Sequence, residues 1–183
     1  MDERRDSEFV VRHGAQTMTK TKTFDLLHAP LEGTNLIEAS AGTGKTYAIS
    51  GLFLRLVIEK NLSVNEILVV TFTEAATEEL KDRIRTKLRA AAEAFATGHS
   101  EDPFLGDLRR KHPHPEMAYR HLREALRGFD QAAIFTIHSF CRRMLYENAF
   151  ESRCLFDTEL VPDQENLKKE VVEDFWRKHF YQA

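Results

Sequence analysis

The chain has 183 residues, 42% of them hydrophobic and 30% charged, an ordinary globular balance with room for one α/β domain or slightly more. Its formal net charge of −3 excludes a uniformly basic nucleic-acid glove, so any nucleic-acid contact must use a local patch, stacking or backbone groups. The two cysteines, Cys141 and Cys154, make no C-x-x-C pair. No apolar run approaches the roughly 18 residues of a membrane span. With no secretory segment, this composition predicts a reduced, cytoplasmic setting.

Residues 1–23 are polar and aperiodic and read as a mobile N-terminal tail. Residues 24–33 are a lead-in broken by Pro30 and Gly33. A first strand is predicted over 36–39, then a helix over 46–60 with Ile49, Leu52, Phe53 and Leu56 on one face. Within 66–72, Ile67, Leu68, Val69 and Val70 form a continuous apolar run typical of a buried parallel strand. Thr73 is placed to cap a long helix whose core stripe is Ala76, Leu80, Ile84, Leu88 and Ala92. A polar connector follows over 98–115, then a helix over 116–128, a third strand over 132–136 and a helix over 139–148 with Phe140, Met144 and Leu145 inward. Strands alternating with helices predict a parallel, helix-covered sheet. A last helix over 164–181 carries Val171, Val172, Phe175, Trp176, Phe180 and Tyr181. That is too much apolar surface for a solvent-facing helix. It is expected to pack on residues beyond Ala183 or on another chain, which reads this sequence as part of something larger.

Between the first strand and the first helix lies Ala39-Ser40-Ala41-Gly42-Thr43-Gly44-Lys45-Thr46. This is close to G-x-x-x-x-G-K-[ST], with alanine at the first glycine position. In such a loop backbone N–H groups and a helix N-terminus surround the phosphates of a nucleotide. Gly42 and Gly44 permit conformations that a Cβ would obstruct. Lys45 brings a charge to the β and γ oxygens, and Thr46 offers a hydroxyl to Mg²⁺. The plainer alternative is a glycine-rich turn that binds nothing. The position of Lys45 and Thr46 at a helix start favours a bound nucleoside triphosphate over it, but does not say what the nucleotide is used for.

Phe72-Thr73 ends the second strand and Thr136-Ile137-His138 ends the third. An aromatic at a sheet edge can stack on a base, and a hydroxyl at a helix N-terminus can hold a phosphate. Taken alone, these residues favour plainer roles: Phe72 in the core, Thr73 as a cap, His138 as a structural histidine. His112, His114 and His121 have poor spacing for a metal and read as a solvated loop. Arg109-Arg110-Lys111 and Arg142-Arg143 read as solvated charge.

The three blocks in this order resemble the superfamily 1 (UvrD-like) DNA helicases. The residues that carry the resemblance run from Leu36 to Thr46, from Val69 to Thr77 and from Phe135 to Leu145, with Asn148 to Ser152 behind them. It extends over about 24–181, and alanine at position 39 is a usual variant in that family. The resemblance implies a P-loop NTPase with a RecA-like parallel sheet, helices on both faces, over 24–160, and the start of a helical insertion domain over 161–183. It implies ATP and Mg²⁺ at residues 39–46, with Lys45 and Thr46 as candidate catalytic groups and Thr46 as the metal ligand. It also implies single-stranded DNA at Phe72, Thr73, Thr136 and His138, which shifts those residues toward function. Helicase–nuclease members of the family join gamma and alpha partner subunits and unwind and degrade DNA at double-strand breaks.

The family's acidic Mg²⁺-holding pair, arginine finger, second motor domain and nuclease domain are not in this sequence, and no glutamine in 24–33 is available to read adenine. The expectation is ATP binding without unwinding or cleavage by these residues alone. A stand-alone nucleotide-binding regulator, using the Phe175 and Trp176 face for a protein partner, is the alternative. A small-molecule kinase is weaker, because the second and third blocks have no place in it.

Overall fold

Two helices make most of the core because their apolar residues recur at helical spacing. Helix α1 (Lys45–Glu59) buries Phe53, Leu54, Val57 and Ile58. Helix α2 (Glu74–Thr97) buries Leu80, Ile84, Leu88, Ala91, Ala92 and Phe95, the i, i+4 ladder of an amphipathic helix. Ala76, expected in that stripe, is exposed one turn too early. On α1 the buried face is rotated from the expected one. Ile49 is exposed, while Leu54, Val57 and Ile58 point inward, toward α2 and toward α4 (Pro115–Arg127). Helix α4 adds Ala118, Leu122 and Ala125 to the same core. Thr73 caps α2 as expected, its Oγ1 accepting from the Ala76 N–H at 3.2 Å. Gly98 ends the helix at φ +83°, the left-handed geometry that costs glycine nothing.

The computed structural model describes residues 10–13, 22–39, 44–152 and 163–180. Residues Met1–Phe140 form one compact unit and Cys141–Ala183 another. In the first unit, β1 (Val10–His13) lies between β2 (Lys22–Thr23) and β3 (Asn35–Glu38), antiparallel to both. Residues 1–23, expected as a mobile tail, thus contain both β1 and β2. The backbone groups of β3 take partners from β1 across the register Val10↔Glu38 to His13↔Asn35.

Strands β4 (Val69–Thr71) and β5 (Ile134–Thr136) form a separate parallel pair. One parallel sheet joining all three predicted strands is therefore not formed among the described residues. What stands is an α/β chain, mostly helical, with a small parallel sheet. Helix α2 packs on β4 and β5, yet Leu68 and Val70 stay exposed. The continuous apolar run in the sequence suggested burial on both faces, and only one is covered.

The polar connector holds a helix, α3 (Pro103–Lys111), that the spacing of apolar residues did not suggest. Asp102 caps it by accepting from the Phe104 N–H at 3.0 Å. Pro103 sits at its first position, where a missing N–H does no harm, and Leu105 and Leu108 are buried. A single 3₁₀ turn, Phe129–Gln131, leads into β5.

Helix α5 (Ile137–Glu147) follows β5 without a loop, and α6 (Ala149–Ser152) follows it. Leu145, expected inward, is exposed. In the second unit, α7 (Glu165–Phe180) leaves Val171, Val172, Phe175, Trp176 and Phe180 exposed. The Trp176 and Phe180 rings lie 4.3 Å apart, and the Phe175 ring lies 4.6 Å from the His179 ring. Tyr181 lies outside the described residues. No helix among those residues is long and apolar enough to cross a membrane.

Candidate functional site: a phosphate loop and two strand-end junctions

Lys45 and Thr46 are the first two residues of α1. Gly44 precedes them at φ +89°, ψ +25°, a conformation strained for any residue with a Cβ. Its carbonyl accepts from the Ala48 N–H at 2.9 Å. No side chain caps this helix. The positive end of the helix dipole at this start suits an anion. Lys45 Nζ donates to the Ala39 carbonyl at 2.7 Å, so the charge spans from the helix start to the end of the preceding strand. Thr46 is half-buried. The predicted residues Ser40, Ala41, Gly42 and Thr43 lie outside the described residues.

The parallel register pairs Thr71 with Thr136. That match sets the chain exits of β4 and β5 side by side at the C-terminal ends of the strands, where open α/β sheets bind ligands. Phe72 is 85% exposed there, so the core role that the sequence alone favoured does not hold. The residue falls between the last strand residue and the helix cap, and neither neighbour covers it. Thr73 turns its side chain to the α2 cap, and its carbonyl accepts from the buried Thr77 hydroxyl at 3.0 Å. Thr71 and Thr77 hydroxyls meet at 2.5 Å.

At the second junction, Thr136 is buried and accepts from the Ser139 N–H at 3.1 Å, the same three-residue cap as at Thr73. His138 is exposed. Phe72 and His138 are thus presented to solvent, while Thr73 and Thr136 brace the turns that present them.

Two groups that sequence reasoning did not single out hold this region together. Arg55 is 3% exposed. It donates to the carbonyls of Leu26 at 2.9 Å and Ala29 at 2.6 Å, and grips Glu59 through two bonds of 2.6 and 3.0 Å. The lead-in is thereby tied to α1. Burial pushes the Glu59 carboxyl up, but the Arg55 hydrogen bond and charge, with Lys111 and His112 beyond, hold it below its ordinary value. An i,i+4 Arg–Glu pair is visible in the sequence; its two carbonyl partners are not.

The second group is Lys87, buried on α2, whose Nζ donates to Asp102 at 2.7 Å and lies 3.7 Å from the Tyr47 ring centroid. The Tyr47 hydroxyl donates to the same carboxylate at 3.1 Å. Burial first, then the Asp102 charge, holds the Tyr47 hydroxyl protonated far above its usual range. Burial raises the Asp102 pKa, and the bonds and charge of Lys87, with Tyr47, outweigh it, so the carboxyl titrates low. The residue after Thr46 is thereby anchored to α2 and α3.

No group of three or more His, Cys, Asp or Glu suited to a metal occurs among the described residues. His112 is instead half-buried against Phe95, ring centroids 6.3 Å apart.

The UvrD/REP helicase N-terminal domain model matches residues 20–182. The chain is similar to the RecBCD enzyme subunit RecB of Escherichia coli (strain K12), 45% identical over 168 residues, covering 87% of this chain and 14% of that protein. It is likewise 45% identical over 179 residues to RecB of Haemophilus influenzae, covering 90% of this chain and 15% of that one. With RecB of Buchnera aphidicola subsp. Schizaphis graminum the identity is 40% over 168 residues, 87% of this chain and 14% of the relative. The chain therefore spans about a seventh of the relatives it matches, and on the match over residues 20–182 it belongs to the UvrD/REP helicase N-terminal domain family.

Proposed function

We propose that this chain is the ATP-binding N-terminal part of a RecB-like helicase–nuclease subunit. What carries the reading is the placement of Lys45 and Thr46 as the opening residues of α1, directly behind a left-handed Gly44. The Lys45 ammonium would exchange the Ala39 carbonyl for β and γ phosphate oxygens, and the first-turn N–H groups would complete the cradle. The Thr46 hydroxyl would ligate Mg²⁺, an ion that keeps several waters and leans on nucleotide phosphates rather than on a protein cage. Bound there, the metal supplies charge neutralisation on the phosphates. Residues 40–43 are assigned to the same nucleotide-binding loop.

In this reading residues 24–160 are the first portion of a RecA-like motor and 161–183 begin a helical insertion. Phe72 stacks on bases of a single strand and His138 faces its backbone, while Thr73 and the buried Thr136, expected from the sequence to touch DNA, shape the junctions that present them. The whole subunit would work in the cytoplasm with RecC-like and RecD-like partners, unwinding and degrading DNA ends during double-strand-break repair and recombination. These residues alone lack the acidic pair that activates water, so they bind ATP without unwinding or cutting DNA.

Titration calorimetry of the 183-residue chain with Mg-ATP tests this. Binding to the wild type, lost in Lys45→Ala and weakened by removing Mg²⁺, supports it. Equal binding by Lys45→Ala overturns the assignment of the loop, and fast DNA-stimulated hydrolysis by the chain alone overturns the expected division of labour.

A further inference from the structure

Glu74, the first residue of α2, has a carboxylate that reaches across to the other junction. Its Oε1 lies 3.3 Å from Thr136 Oγ1 and 3.3 Å from Ser139 Oγ. Thr136 and Ser139 hydroxyls are themselves 2.9 Å apart. Each hydroxyl has one proton. Thr136 can therefore donate to Ser139, which passes its own proton on to Glu74, or donate to Glu74 directly. The carboxylate is the terminal acceptor either way, because an ionised carboxylate cannot donate. Thr136 is also the cap that accepts from the Ser139 N–H, so the hydroxyl that shapes the second junction is tied to the first residue of the helix at the other one.

We propose that Glu74 is a positioning residue, bridging the β4–α2 and β5–α5 junctions so that Phe72 and His138 are held at a fixed spacing for a single strand. The inference rests on the reading of these junctions as a DNA surface and adds a residue to it. Glu74 itself does not touch the strand, since a carboxylate facing phosphates would repel them. The plain alternative is that its charge only favours the N-terminus of α2 through the helix dipole. The two differ in what the side chain must supply. A bridge needs an acceptor oxygen, which glutamine retains; the dipole needs a charge, which glutamine lacks.

The test is fluorescence anisotropy of a labelled oligothymidine with the 183-residue chain and its variants, with melting temperatures recorded alongside. Glu74→Ala is expected to weaken binding by roughly 3- to 10-fold, the scale of one hydrogen bond. Glu74→Gln is expected to stay within about twofold of wild type, because its acceptor survives. Ser139→Ala should weaken binding comparably, and the double variant with Glu74→Ala should fall short of the product of the two losses, as coupled partners do. Where Glu74→Ala fails to fold, Glu74→Gln and Ser139→Ala carry the test. Matched changes in Glu74→Gln and Glu74→Ala would overturn the bridge in favour of charge alone. Wild-type binding by Glu74→Ala, alongside weakened binding by Phe72→Ala, would overturn it while leaving the DNA surface standing. If neither Phe72→Ala nor Glu74→Ala alters binding, the DNA surface itself falls, and the bridge with it.

Discussion

Replacing Arg55 with methionine keeps much of the side chain's volume and removes its guanidinium from a buried position. The Leu26 and Ala29 carbonyls, 2.9 and 2.6 Å from Nη1, would then lose a charged donor. Hydrogen bonds to a charged group contribute about 1.5–3 kcal/mol each. The Glu59 side chain keeps 24% of its exposure, so its half of the ion pair can recover water, and that loss is discounted to about 1 kcal/mol. Taking the lower figure for each carbonyl, the variant should lose about 4 kcal/mol.

Urea unfolding at neutral pH measures that loss. Hydrogen exchange locates it: the Ala29 amide, bonded to the Asp25 carbonyl at 2.7 Å, should open faster when the lead-in is untied from α1. The pH dependence separates the two contributions. The folded pKa of Glu59 is depressed, so the ion pair stabilises fully above the unfolded carboxylate value near about 4.3 and is lost as pH falls through the folded one. The gap between wild type and variant should therefore narrow by about 1 kcal/mol on acidification, leaving the carbonyl part intact. A total loss under about 1 kcal/mol, or unchanged exchange at Ala29, would refute the view that Arg55 fixes the lead-in.

Phe72→Ala should weaken single-strand binding by roughly 1–3 kcal/mol, the value of one stacked base, with almost no change in melting temperature because the ring is already exposed; a large stability loss would return Phe72 to the core. Asp102→Asn should destabilise by about 3 kcal/mol, since it strands the buried Lys87 ammonium with a neutral acceptor; chemical denaturation at neutral pH checks it. The Asp102 pKa is also depressed, so the wild-type advantage is held above the unfolded value and disappears as pH drops through the folded one. An advantage that survived full protonation would refute the ion pair as its source.

Most of the helices are legible in the amino-acid sequence because their signals are local. Thr73 caps α2 through a residue three positions on, and Leu80, Ile84 and Leu88 share a face by simple periodicity. The loop at 39–46 is a motif of fixed spacing. Helix α3 escapes a reading by periodicity because prolines and charges hide a cap followed by only two buried leucines, a signal that becomes clear once Leu105 and Leu108 have a core to enter. The rotation of the α1 face is set by the neighbours it meets.

Sequence by itself determined that a lysine and a threonine stand at a helix start behind a glycine-bearing loop, and that two further strand-to-helix turns carry Phe72 and His138, because each rests on residues within a few positions of one another. Tertiary structure alone decided that those turns lie side by side, through the pairing of Thr71 with Thr136. It also decided that Phe72 faces solvent, that Arg55 reaches carbonyls in the lead-in, and that Glu74 meets Thr136 and Ser139 across more than sixty residues of chain. Strand register and burial depend on which distant segment supplies the partner, and no local spacing encodes that choice.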